Sequence, residues 1–207
     1  FVAVLLFATV ASGQAISGRS SFRLGEKLTY NVSIEHFDNA AFAEIHVVSA
    51  GKLSGRDAIE IRSRFKTLSF VSAAFYLVDE ATTTYVSPDT GLPIYSRKEI
   101  SSGGIPKVEI SDNLAVAAAG HDLNTLIYAI RSAGQGGVYN LIAGDRSYAV
   151  TAQVSGAETV KTSVGDFETT TATIDSEYFT ERGITELTAQ ISNDDQRIPV
   201  VVKFRTP

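Results

Sequence analysis

The chain has 207 residues, 44 % of them hydrophobic and 20 % charged, with a formal net charge of −5, and that length can bury one sizeable core. Eighteen Lys and Arg against 23 Asp and Glu leave no positive excess to neutralise a phosphate backbone, which disfavours nucleic acid and an anionic membrane surface as partners. The absence of cysteine removes disulfides, thiolate catalysis, iron–sulfur clusters and cysteine-ligated zinc.

From Phe1 to Ala11 every residue is apolar except Thr9, and Ser12-Gly13-Gln14-Ala15 follows. Such a run is too short to anchor in a bilayer, and it fits the apolar region and small-residue cleavage site of a secretory signal peptide. Residues 1–15 are therefore expected to be a partial signal peptide cut after Ala15; a buried N-terminal strand is the competing reading. Methionine is missing even at position 1, so the sequence reads as a trimmed chain. Residues 16–207 form a single expected β-rich domain, with no later apolar stretch long enough for a membrane helix.

Val, Ile and Thr number 19, 16 and 19, and β-branched side chains suit a pleated sheet. Leu28, Tyr30, Val32 and Ile34 alternate with Thr29, Asn31, Ser33 and Glu35, the period of a half-buried strand. Ile45 and Val47 continue the theme, then Ile59 and Ile61, with a hairpin turn from Gly51 to Gly55 between them. Leu68 to Phe75 is a strand or a short helix. Further strands are expected near Thr82–Val86, Pro93–Ile100, Lys107–Ser111, Ser147–Val154, Glu158–Ser163, Glu168–Ile174, Ile184–Ile191 and Ile198–Phe204. Gly165-Asp166 supplies a second hairpin turn, and Asn193-Asp194-Asp195-Gln196 a third. Many short strands joined by turns predict an all-β, mainly antiparallel fold: a curved sheet or partly closed β-barrel.

One segment changes period. Leu123, Leu126, Ile127 and Ile130 make an apolar stripe at helical spacing, with Asp122 placed as N-cap and Gly134 as terminator. This single amphipathic helix, Asp122 to Ser132, is expected to plug the open end or the concave face of the curled sheet.

The search for chemistry is mostly negative. His36, His46 and His121 have no metal-ligand spacing, so no metal site and no cofactor are expected; His46 should point away from Ile45 and Val47, and His121 should serve the helix start. No Gly-x-Ser-x-Gly elbow appears, and Gly103-Gly104 and Gly136-Gly137 read as turns. Asp79 and Glu80 should be split between opposite faces of a strand, while Asp194-Asp195 suits turn hydrogen bonding. No catalytic residue is assigned. Tyr128 and Arg131, three apart on the helix, either line a pocket in which Arg131 holds an anionic head group, or Arg131 meets the helix macrodipole.

Phe22-Arg23-Leu24-Gly25-Glu26-Lys27-Leu28-Thr29-Tyr30 resembles the FxxGExLxY opening of an exported bacterial family called domain of unknown function 3108. Tyr76-Leu77-Val78-Asp79, the turn near Pro88-Asp89 and Leu92-Pro93 are similar to its central segment. Asp122, Leu126, Tyr128 and Arg131 fit its helix, Gly165-Asp166-Phe167 its hairpin, and Asp195-Gln196-Arg197-Ile198-Pro199-Val200 its closing strand. The resemblance spans residues 22–203. It implies a mostly β fold and a periplasmic or outer-envelope location, but no activity. Members continue into one more strand, so the domain is expected to be truncated at its C-terminus.

The leading expectation is a non-enzymatic envelope protein holding an apolar or amphipathic ligand, such as a lipid, in a groove under the helix, with Tyr128, Arg131 and Asp79 as ligand-binding residues. One alternative is a filled core whose surface serves an envelope protein partner. The other is a hydrolase of a cell-envelope polymer using acids such as Asp79.

Overall fold

The computed structural model describes residues 2–11, 14–15, 22–34, 37–68, 78–102 and 105–206. In chain order the strands are β1 (Val2–Ala11), β2 (Gln14–Ala15), β3 (Arg23–Leu24), β4 (Lys27–Ile34), β5 (Phe37–Leu53), β6 (Arg56–Thr67), β7 (Val78–Val86), β8 (Pro93–Ser102) and β9 (Ile105–Asp112). Helix α1 (Leu123–Ala133) follows, then β10 (Gly137–Ala143), β11 (Arg146–Thr162), β12 (Gly165–Asp175), the short helix α2 (Glu177–Thr180), β13 (Thr185–Ser192) and β14 (Pro199–Arg205).

Twelve strands join in one antiparallel sheet, ordered β10-β11-β12-β13-β14-β1-β4-β5-β6-β7-β8-β9, and β2 and β3 form a separate pair. The sheet does not close: β9 and β10 are its two edges. The strands thus fall into two runs of sequential hairpins, β4 to β9 and β10 to β14, with β1 between β14 and β4. The run expected to be a signal peptide is a paired strand in this structure, with Leu6 opposite Val201 of β14 and Asn31 of β4.

Alternation decides which side chains meet inside. Leu28 and Tyr30 of β4 lie opposite Ile45 and Ala43 of β5; Val47 faces Ile61, and Ile59 faces Val86. With Phe22, Tyr128, Ile198, Val200 and Val201 they form one buried cluster. A second cluster gathers Leu141, Tyr148, Val150, Ala152, Ala172, Ala189 and Ile191 with Leu126, Ile130 and Tyr178. Helix α1 bridges the two, sending Tyr128 into the first and Leu126 and Ile130 into the second.

Local details depart from the sequence reading for identifiable reasons. Ser147–Val154 and Glu158–Ser163 are one strand, β11, whose pairing with β12 shifts register between Ser155 and Ala157. Gly156 sits there with φ 56°, a bulge conformation that glycine adopts without strain. The hairpin turn expected at Gly165-Asp166 falls instead on Ser163-Val164, because Thr162 pairs with Gly165. The Thr162 hydroxyl accepts from the Val164 N–H at 3.2 Å and donates to the Gly165 carbonyl at 2.8 Å, so a threonine closes the turn. The turn after β5 narrows to Ser54-Gly55, with φ values of 49° and 83°, the positive pair a tight two-residue hairpin requires. Strand β10 has no counterpart in the sequence reading. His36, Gly103-Gly104, Tyr76-Leu77 and residues 69–75 lie outside the described residues.

Candidate functional site

Helix α1 begins as its sequence dictates. The Asp122 carboxylate accepts from the Thr125 N–H at 2.8 Å while the Thr125 hydroxyl accepts from the Asp122 N–H at 3.0 Å, a reciprocal capping box. Its other carboxylate oxygen accepts from Thr84 of β7 at 2.7 Å and Ser96 of β8 at 2.8 Å. Asn124 donates to the Thr84 hydroxyl at 3.2 Å. One carboxylate therefore starts the helix and ties it to the sheet.

The predicted apolar stripe is rotated on the helix. Leu123 is 42 % exposed, whereas Asn124, Thr125, Tyr128 and Arg131 are buried beside Leu126 and Ile130. Polar residues can face inward because each finds a partner there.

Arg131 is 2 % exposed. Its NH1 and NH2 groups donate to the two carboxylate oxygens of Glu26 at 2.7 and 2.9 Å, a bidentate pair. NH2 also reaches the Gln196 carbonyl at 2.8 Å, and Nε the Arg197 carbonyl at 2.9 Å. Burial works against its charge, yet the hydrogen bonds and charge of Glu26 outweigh burial and raise the guanidinium pKa. Glu26 is itself buried and accepts a further bond from the Tyr128 hydroxyl at 3.2 Å. Burial, reinforced by the Glu26 charge, pushes the Tyr128 phenol well up, with Arg131 opposing it. Tyr30 lies in the same field, its phenol raised by burial, with Arg131 opposing and Glu26 adding to the rise.

Arg131 is also the basic residue in the last turn of α1, and a second guanidinium meets the end of the helix. Arg197, in the turn before β14, donates from Nε to the Arg131 carbonyl at 2.6 Å, satisfying the C-terminal end of α1. Arg131 and Arg197 thus exchange bonds, each guanidinium holding the other's carbonyl. Arg23 completes the cluster, reaching the carbonyls of Gln196 and Asp195 at 3.0 and 2.5 Å.

Asp79 is not part of this assembly. Alternation puts it on the face opposite Thr84, where it accepts from Arg64 at 3.0 and 2.8 Å and pairs with Lys66 at 3.2 Å. The Arg64 hydrogen bonds hold its carboxyl below the ordinary range. Glu80 points the other way and pairs with Lys98 at 2.8 Å, the split that a strand imposes. Asp194 accepts from Ser192, from the Gln196 N–H and from the Arg197 N–H at 2.7, 3.0 and 3.0 Å, a turn role. His121 is half-buried, with Nδ1 3.3 Å from the Thr125 hydroxyl; burial lowers its pKa and the Asp122 charge opposes that. Among the described residues no group of three or more His, Cys, Asp or Glu could hold a metal ion.

The structure thus brings Tyr128 and Arg131 together and leaves Asp79 apart. Glu26, Arg197, Thr84 and Ser96 complete the two clusters. Glu26 and Arg197 stood only inside the resembling motifs, and nothing in the sequence marked Thr84 or Ser96. Three motifs far apart in the chain, at Gly25-Glu26, Asp122 to Arg131 and Asp195 to Val200, converge on one buried ion pair.

These features define an antiparallel β protein in which, among the described residues, one long helix is bound to an open, curved sheet by buried polar groups. Residues 29–112 match the family described as "Protein of unknown function (DUF3108)", so that part of the chain is similar to it. The match runs from Thr29 in β4 to the end of β9. Comparison with curated proteins and with solved structures gives no match.

Proposed function

We propose that this chain is an exported, non-enzymatic protein of the bacterial cell envelope that serves other envelope components through its surface, as a scaffold or interaction protein. The observation that carries this reading is the engagement of Arg131, 2 % exposed and bonded to Glu26 and two backbone carbonyls. An anionic head group would have to displace that carboxylate, and breaking a buried pair costs about 3–5 kcal/mol. Beneath the helix, the residues that would wall a lipid groove pack against one another in two clusters. That packing favours a filled core over a ligand carrier.

Asp79 supports the non-enzymatic side. A carboxyl held ionised by Arg64 and Lys66 is poorly matched to general-acid work near neutral pH. Export and a periplasmic or outer-envelope location rest on the resemblance of residues 22–203 to an exported bacterial family.

Native mass spectrometry of the protein purified from a bacterial envelope tests the reading. The expected mass is that of the polypeptide alone, with no uptake of an apolar fluorophore. A co-purified lipid that R131A releases from a still-folded chain would overturn it in favour of a lipid carrier.

A further inference from the structure

The two edges of the twelve-stranded sheet differ. On β10, the His121 N–H donates to the Asn140 carbonyl at 2.7 Å and the Ile142 N–H to the His121 carbonyl at 2.8 Å, so the segment before α1 covers that edge from Asn140 to Ile142. On β9, every residue from Ile105 to Asp112 is exposed, and among the described residues only β8 pairs with it. Its apolar side chains stand in solvent, Val108 at 50 % and Ile110 at 62 % exposure. An edge of this kind is a template for another strand.

The backbone shows which groups are offered. The Asn113 N–H donates to the Ile94 carbonyl of β8 at 2.8 Å. In an antiparallel ladder alternate residues direct both backbone groups to the same neighbour. Lys107, Glu109 and Ser111 therefore bond to β8, and Pro106, Val108, Ile110 and Asp112 present their groups outward. Pro106 has no N–H to offer, and an outward position on an edge is where proline is tolerated.

We propose that β9 pairs antiparallel with β9 of a second copy of this chain, with Val108 on the two-fold axis. Val108 then exchanges its N–H and carbonyl with its own copy, and each Ile110 N–H reaches the Pro106 carbonyl of the other chain. On one face, Lys107 stands opposite Glu109 of the second copy and Glu109 opposite its Lys107, extending the pair these residues already form at 2.6 Å within one chain. On the other face, Pro106, Val108 and Ile110 of both copies make one apolar strip. The register is selective: with Lys107 or Glu109 on the axis instead, that charge would face itself, a destabilising arrangement. The occupant is therefore the chain itself, because the edge carries a charge pattern complementary to its own reverse. This stands apart from the envelope reading, since it concerns only the chain's own edge.

Charge exchange tests the pairing. Sedimentation velocity from micromolar to millimolar concentration should show the wild-type chain in a monomer–dimer equilibrium. K107E and E109K each set like charges opposite one another at two symmetric places and should each weaken dimerisation about tenfold. The double variant K107E/E109K restores opposite charges and should recover the wild-type constant. Both positions are exposed, and unchanged melting curves would confirm intact folds. A wild-type chain that stays monomeric throughout, or single variants that dimerise as the wild type does, would overturn the proposal.

Discussion

Arg131 and Glu26 are 105 positions apart and meet in a site that excludes water. A buried ion pair of this kind adds little net stability when intact, because desolvation offsets the attraction, but removing one partner strands the other charge. Tyr128 and Arg131 were legible because a three-residue spacing on an amphipathic helix places them together. Which way they faced was not, since the stripe of Leu123, Leu126, Ile127 and Ile130 suggested a different inner face. The partners that let Asn124, Thr125 and Arg131 turn inward come from elements distant in sequence. His121 illustrates a smaller effect at this scale. Its pKa lies below the ordinary 6.5, so the unfolded chain takes up its proton more readily than the folded one. Its neutral form supports folding above pH 6.5, and that contribution is lost as the pH falls. Urea denaturation across that range should show a declining midpoint, with a shallower decline in H121Q; an identical slope in both would contradict this.

At the scale of elements, period-2 alternation located most strands from β4 onward, and the i, i+3, i+4 spacing located α1. The misses have physical causes. Strand β10 begins at Gly137 and exposes Val138, so its apolar side chains do not mark one face, and Gly136-Gly137 reads as a turn. Gly136 has φ 79°, and a Cβ there would lie against the Ala152 carbonyl oxygen, inside van der Waals contact. G136A should therefore destabilise the chain by more than about 1 kcal/mol, read as a lowered urea midpoint with unchanged slope. A neutral effect would show that the approach of β10 to β11 is looser than described. The apolar run of β1 pairs with β14 and β4. A short apolar run suits both a leader sequence and a buried strand, and composition alone does not separate them.

For the whole molecule, the central feature is how two hairpin runs are joined. Among the described residues, they meet in the sheet only through β1. Across it, α1 sends Tyr128 to one cluster and Leu126 and Ile130 to the other, Asp122 binds β7 and β8, and Arg131 links Glu26 to the turn before β14. Three of the resembling motifs, at Gly25-Glu26, Asp122 to Arg131 and Asp195 to Val200, gather at that junction; the fold class was readable from alternation, whereas this convergence was not. They converge on the buried Glu26–Arg131 pair. A double-mutant cycle on E26A, R131A and the double variant, followed by urea denaturation, tests this most directly. Each single change should cost about 3–5 kcal/mol, and the double clearly less than their sum, because the second change removes a stranded charge. Singles that leave stability within about 0.5 kcal/mol of wild type would contradict the joint and return Arg131 to the role of a ligand-binding cation.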